Sequence, residues 1–78
     1  MILQLIHPSY TRELSIAWLE MNTEVGNFVI QPGHAPMVVL LAHNKKIVFC
    51  LSTGKQESLH IEQGIVHITR QQATIIFH

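Results

Sequence analysis

The sequence has no aspartate and few charged residues of any kind. Charged side chains make up 13% of the 78 residues, and five basic and five acidic residues give a formal net charge of zero. A protein that neutralises nucleic-acid phosphates needs a clustered excess of lysine and arginine. The one adjacent basic pair, Lys45 and Lys46, is better explained as part of a turn. The composition therefore argues against a nucleic-acid partner.

Catalytic signatures are also missing. A Ser-His-Asp triad has no aspartate to complete it, although a glutamate could substitute. The four glycines are too far apart for a phosphate loop or a dinucleotide fingerprint, so we do not expect this chain to hydrolyse ATP by itself. Glu20 and Glu24 flank a turn, which favours two solvated carboxylates at strand ends over a catalytic acid-base pair. We predict no catalytic residue and no cofactor.

Cysteine and long apolar runs are scarce as well. Cys50 is the only cysteine, so no internal disulfide can form, and its neighbours in IVFCL favour a thiol that packs as a small apolar group. The longest apolar run, 37–42, is far shorter than the roughly 20 residues of a membrane-spanning helix. The N-terminal residues 1–8 lack the basic stretch and the long apolar core of a signal peptide. These features favour an intracellular chain, either soluble or part of a peripheral assembly.

Histidine, in contrast, is abundant, with six residues. No two histidines are two, three or four positions apart, so no strand or helix presents a local pair. His60 and Glu62 would share a strand face, but two ligands do not close a zinc site. We therefore predict no metal site and expect hydrogen bonding at strand ends and turns. A free-standing β-sandwich module that holds a metal or small ligand through histidines remains the alternative function. The histidines also make pH a possible control on charge.

Most of the chain has the pattern of short strands. Turn signals recur every 6–12 residues and no segment is convincingly helical, which is typical of an all-β sandwich or flattened barrel. In residues 10–21, Leu14, Ile16 and Trp18 alternate with polar or small residues, which favours a half-buried strand over an amphipathic helix. We predict one domain, residues 1–78, with about 8–10 short antiparallel strands. The segments that carry this prediction are 1–6, 10–21, 28–30, 37–42, 47–51, 57–61, 63–68 and 73–77.

Two further features concern the surface. In Pro32–Pro36, PGHAP, each proline fixes its own φ and extends the residue before it, and Gly33 can take a positive φ. The result is a stiff turn that holds His34 in place. The strands at 37–42 and 47–51 do not alternate, because both of their sides are apolar. A domain of this size cannot bury both sides of so many strands, so we predict an exposed apolar patch that marks a partner surface.

The segment 26–41, GNFVIQPGHAPMVVLL, resembles the signature of the epsilon subunit of F-type ATP synthases. Residues 61–68, IEQGIVHI, and 73–77 are similar to two later strands of the same N-terminal β-sandwich domain, with Gln63-Gly64 in place of the family's usual Gly-Gly turn. The resemblance implies a non-catalytic rotor subunit of the central stalk, which docks on the gamma subunit and the c-ring and couples proton or sodium flow to ATP synthesis. It also implies a peripheral location, on the cytoplasmic face of a bacterial inner membrane, through the complex alone. The family's C-terminal helical hairpin has no counterpart here, so we expect coupling without helix-mediated inhibition.

The resemblance also assigns contacts. His34 stands at the PGHAP histidine, and with Ala35 and Met37 it is implied to contact the gamma subunit. His7, at the end of the first strand, is implied to approach the same partner.

A second group is implied to contact the c-ring through a loop at one end of the domain. This group comprises Glu24, Gly26, Asn27 and Phe28. The family usually has an acidic residue where this chain has Asn27, so the charge of that contact would have to come from Glu24.

Overall fold

The computed structural model describes all 78 residues, and it contains eight strands and no helix. The all-β prediction is therefore confirmed, including the choice of a strand over a helix for the second element. The strands are β1 (Ile2–His7), β2 (Tyr10–Thr23), β3 (Gly26–Ile30), β4 (Met37–Leu40), β5 (Lys45–Leu51), β6 (Gln56–Ile61), β7 (Gly64–Ile68) and β8 (Gln72–Phe77).

The strands form two layers that share β2. Sheet A has the order β4-β7-β8-β1 and ends on the first half of β2, whereas sheet B joins β3, the second half of β2, β5 and β6. All pairings are antiparallel except that between β1 and β8, which is parallel. That pairing brings together the first and last strands of the chain, which no local sequence pattern indicates.

A β-bulge marks the point where β2 passes from one sheet to the other. The register with β5 shifts between Ile16 and Trp18, which leaves Ala17 without an opposite residue. Such a bulge turns successive side chains to the other face of the strand. Ile16 and Leu19 are buried, whereas Trp18 is half-buried and lies opposite Cys50. The sequence pattern that put Leu14, Ile16 and Trp18 on one face is therefore wrong at Trp18.

The core lies between the two layers. Sheet A contributes inward side chains such as Leu3, Leu5 and Ile75, and sheet B contributes Leu19 and Phe49. Each of these five is essentially inaccessible to solvent. Cys50 is buried, as predicted, but it lies outside this cluster.

The turns mostly follow the sequence signals. Gly33 has a φ of 85° within the PGHAP turn, as predicted, and Gly54 has a φ of 99° in the β5–β6 turn. The polar turn expected at 22–26 is shorter in the structure. β2 continues to Thr23 and β3 begins at Gly26, so two residues alone form the tip of this hairpin.

Candidate functional site

The outward side of sheet A is unusually apolar. We define the outer face of sheet A as the side chains of β1, β4, β7 and β8 that point away from the core. They are Ile2, Gln4, Ile6, Val38, Leu40, Ile65, His67, Gln72, Thr74 and Ile76. None of these residues is acidic, and none is a lysine or arginine. A sheet with one wet face normally alternates apolar inward with polar outward residues, so this face departs from the pattern.

An apolar row crosses this face from edge to centre. Leu40 lies opposite Ile65, Ile65 opposite Ile76, and Ile76 opposite Ile6. With neighbouring strands about 4.8 Å apart, the row is about 15 Å long. Leu40 is 50% exposed and Ile76 is 53% exposed. The predicted exposed patch is therefore present at the strand 37–42, and the register shows that it is continuous across four strands. The strand 47–51 adds nothing to it, because each of its residues is buried or half-buried.

A groove with a volume of about 670 Å³ runs along this row, at the end of sheet A where β1, β4 and β8 finish. Its lining includes Ile6, Leu40, Ile76 and Phe77 together with histidines. His7 stacks on Tyr10, with ring centroids 4.8 Å apart, and lies 5.2 Å from the Phe77 ring. The groove thus offers an apolar wall backed by an aromatic cluster.

The tip of the β2–β3 hairpin lies beside Leu40, at the β4 end of the row. The backbone N–H of Glu24 donates to the carbonyl oxygen of Leu40 at 3.3 Å, and Thr23 forms an isolated bridge with Leu41. Val25, at the tip, is 75% exposed, which is more than any other large apolar residue. An exposed apolar tip and an apolar sheet face therefore meet at one corner of the domain.

The residues implied to contact the c-ring lie in this hairpin. Glu24 and Gly26 are exposed at the tip, and Phe28 is half-buried and packs against the core. The amide Nδ2 of Asn27 donates to Oδ1 of Asn22 at 3.1 Å, across the two strands. The side chain of Asn27 is thus engaged within the hairpin, and Glu24 carries the exposed charge of the tip.

Thr23 holds the hairpin tip in place. Its hydroxyl donates to the carbonyl oxygen of Gly26 at 2.8 Å and accepts from the N–H of Val25 at 3.2 Å. Thr23 is also the only polar residue that is buried. Sequence reasoning missed this residue, although a threonine just before a two-residue turn is a known signal for such bonds.

Replacement of Thr23 by alanine should destabilise the domain by about 1 kcal/mol, because two backbone groups at a buried position lose their partner. Thr69 makes the same pair of bonds across an exposed turn, to the carbonyl and N–H of Gln72. Thr69→Ala should cost less, because water can replace the hydroxyl there. Urea unfolding of both variants measures the difference, and an equal loss would contradict the role given to Thr23. Thr23→Ser should retain most of the stability.

The PGHAP turn lies at the other end of sheet A. The N–H of Gly33 donates to the carbonyl oxygen of Arg70 at 2.9 Å, and an Arg70 guanidinium N–H donates back to the Gly33 carbonyl oxygen at 3.3 Å. His34 is half-buried, and its Nδ1–H donates to the carbonyl oxygen of Ala35 at 2.7 Å. Hydrogen bonds therefore fix the PGHAP turn internally and also connect it to the turn after β7.

The four residues implied to contact the gamma subunit do not form one local cluster. His34, Ala35 and Met37 lie where β4 begins, and β4 begins opposite the end of β7. His7 lies where β1 ends, three strands away at the opposite corner of sheet A. The outer face of sheet A is the surface between these two corners, so one partner that touches both corners would cover the apolar row.

Other kinds of site have little support in this structure. No group of three or more histidine, cysteine or glutamate side chains is placed to hold a metal ion. The chain has no helix that could cross a bilayer. The single ion pair, Arg12 to Glu57 at 3.9 Å, is on the surface and contributes little.

Comparison with known proteins gives one family. The model of the ATP synthase delta/epsilon chain β-sandwich domain matches residues 4–78. A search of curated proteins gives no significant match.

Two solved structures have the same fold. A chain in a cryo-EM structure of the Euglena gracilis mitochondrial ATP synthase (OSCP, F1 and c-ring in rotational state 1) is similar, with a TM-score of 0.90 and 21% identity. A chain in a cryo-EM structure of the Tetrahymena thermophila mitochondrial ATP synthase (central stalk and c-ring) is similar, with a TM-score of 0.83 and 13% identity. Each match covers 99% of the chain described here, but only 49% of the Euglena chain and 62% of the Tetrahymena chain.

Proposed function

Because this chain belongs to the family of ATP synthase delta/epsilon chains, through their β-sandwich domain, we propose that it is a non-catalytic rotor subunit of the central stalk. In this role it docks on the gamma subunit and on the c-ring and couples ion translocation to ATP synthesis. The two similar chains come from mitochondrial ATP synthase structures, one of which is described as central stalk and c-ring. That setting supports the proposal for this chain.

The observation that carries the proposal is the apolar row on the outer face of sheet A. A solvent-facing sheet surface without charged side chains is costly to leave in water and is typical of a partner surface. We assign this face to the gamma subunit. His34 and Met37 at one end and His7 at the other then border a single contact, which agrees with the contacts that the family resemblance implies.

The tip of the β2–β3 hairpin is the part that we assign to the c-ring. Val25 is its exposed apolar residue and Glu24 is its exposed carboxylate. Glu24 supplies the negative charge that the family places at the position of Asn27. The backbone bond from Glu24 to Leu40 joins this contact to the gamma-subunit face, so a force on the tip reaches the sheet directly.

In this role the domain reaches the membrane through these two partners. We place it at the membrane surface as a peripheral part of the complex. The cytoplasmic face of a bacterial inner membrane is the location that we predict.

A pull-down from native membranes tests the assignment. A tagged copy of the full chain, expressed in its own organism, should recover the gamma subunit and c-ring in constant ratio after mild solubilisation. The purified chain alone should not hydrolyse ATP. Recovery of the chain without a gamma subunit would contradict the proposal, as would ATP hydrolysis by the chain itself.

A further inference from the structure

Histidines are concentrated on the surface that we assign to the gamma subunit. His67 lies on the outer face of sheet A, opposite Val38 on one side and in register with Thr74 on the other. His7, His43 and His78 line the groove along the apolar row. Four of the six histidines of the chain therefore lie on or beside this one face.

These histidines are the only ionisable side chains among the residues that define the face and line the groove. The charged side chains on the neighbouring elements are Glu13 on β2, Glu24 at the hairpin tip, Lys45 at the start of β5, and Glu62 just before the groove residue Gln63. Glu13 lies opposite Gln4 and therefore points to the same side of sheet A, at the β2 edge of the face. Glu24 and Lys45 lie outside the face, and Glu62 is exposed beside it.

The ring of His7 is held by one hydrogen bond and two aromatic contacts. Its Nδ1 accepts a hydrogen bond from the N–H of Ser9 at 3.1 Å, and its ring packs beside both Tyr10 and Phe77, whose own centroids are 6.3 Å apart. A protonated ring carries a hydrogen on Nδ1 and cannot accept that bond. Protonation of His7 therefore opposes the packing of the β1–β2 turn against the groove.

We propose that the outer face of sheet A is a pH-sensitive docking surface, in which protonation of His7, His43 and His67 releases the gamma subunit. The inference rests on the proposed function, because it takes the gamma subunit as the partner of this face. A partner that covers the apolar row removes these rings from water, and burial disfavours the charged form of an imidazole. The neutral face binds, and the charged face does not.

The direction of the effect follows from proton linkage. The free chain binds more protons than the complex in acid, so the affinity is complete in the alkaline range and falls as the pH drops and the imidazoles protonate. Each histidine that must be neutral in the complex can lower the affinity by up to about tenfold per pH unit in acid. We expect the dissociation constant to rise at least about tenfold between pH 8.0 and pH 5.5.

The experiment is a titration of the full chain with the gamma subunit of the same organism from pH 8.0 to 5.5. The test variant is His7→Asn combined with His43→Gln and His67→Gln, in which the asparagine oxygen can still accept from Ser9. The control is His60→Gln, because His60 is exposed on β6 in sheet B, away from the face. Fluorescence of Trp18, the only tryptophan, is recorded at each pH so that affinities are compared only where the chain is folded.

Each chain is compared with its own affinity at pH 8.0, since His7 borders the proposed contact and its replacement alters binding at every pH. From pH 8.0 to 5.5 we expect the wild-type chain and His60→Gln to lose affinity in parallel, and the triple variant to lose much less. Protonation of the gamma subunit itself affects its binding to all three chains equally, so it cancels when the three chains are compared. A triple variant that loses affinity as steeply as the wild type would overturn the inference while leaving the docking surface intact. Absence of binding by the wild-type chain at every pH would instead contradict the proposed function. If the affinity of His60→Gln did not change with pH, the pH dependence would belong to His60 on sheet B, which would also overturn the inference.

Discussion

Replacement of Ile76 by lysine should weaken binding of the gamma subunit about 100-fold, while the domain remains folded. Ile76 occupies the centre of the apolar row, between Ile65 and Ile6. A lysine there would bring a charge into an apolar contact, and neither of the residues opposite it is a carboxylate. Truncation or disruption at the buried centre of an interface commonly costs about 2 kcal/mol or more, and 2.7 kcal/mol corresponds to about 100-fold. A titration at pH 8.0, the alkaline end of the range tested above, separates this effect from the proposed pH dependence.

Val29→Lys is the matched control for that experiment. Val29 is 51% exposed and Ile76 is 53% exposed, so both lysines would be equally accessible in the free chain. Val29 lies on β3 in sheet B, opposite Glu20, which can accept the new charge. We expect Val29→Lys to change the affinity by less than about twofold, as is usual outside an interface core. Equal binding by the two variants, whether both strong or both weak, would show that the outer face of sheet A is not the contact.

Replacement of Gly64 by alanine should destabilise the domain by about 1–3 kcal/mol, a large share of the stability of a chain this small. A Cβ at Gly64 would lie 3.0 Å from Cδ1 of Leu41, 3.1 Å from Cβ of Phe77 and 3.2 Å from the carbonyl oxygen of Ile76. Two of these three neighbours belong to the paired strand β8 and cannot rotate away. Gly64 is therefore required by the close approach of three chain segments. Urea unfolding, followed by Trp18 fluorescence, measures the loss.

A double-mutant cycle with Leu41→Ala identifies the cause of that loss. Alanine at position 41 removes the Cδ1 atom nearest to the new Cβ, so the two substitutions together should cost less than the sum of their separate costs. Strict additivity would mean that Leu41 does not press on position 64. A Gly64→Ala variant as stable as the wild type would contradict the close packing altogether.

The sequence predicted where the strands lie along the chain because the turns between them are chemically distinct. Gly33 and Gly54 adopt the positive φ angles that their turns require, and both turns were placed correctly. Alternation also identified β2 as a strand, against a competing helical pattern. Turn signals and alternation both depend on residues that are only a few positions apart, so they can be recognised in a single sequence.

The bulge at Ala17 could not be predicted in the same way. A strict period of two places Trp18 with Ile16, and only the pairing of β2 with a different partner on each half reveals the shift. Nothing in the residues around Ala17 marks a bulge, since no glycine or proline is present there. The same limit applies to Gly64, whose role depends on Leu41 and Phe77 from other strands. Contacts over long sequence distances decide both features.

The candidate site was predicted in part. The lack of alternation in the strand at 37–42 indicated an exposed apolar patch, but not that Leu40, Ile65, Ile76 and Ile6 would lie in register. The hairpin residues implied to contact the c-ring were named without the bond that joins Glu24 to Leu40. The distance between His7 and His34 across sheet A also could not be predicted from the sequence, because it depends on the spatial order of four strands.

The passage of β2 through both sheets has a mechanical consequence for the rotor role proposed above. A sandwich whose layers are joined only by loops can yield by sliding one layer over the other. Here one continuous backbone of 14 residues belongs to both layers, so relative sliding would require breaking the ladders of β2 with β1 or with β5. Torque applied to the face of one layer is therefore passed to the other along covalent bonds, and the domain responds as a single stiff body.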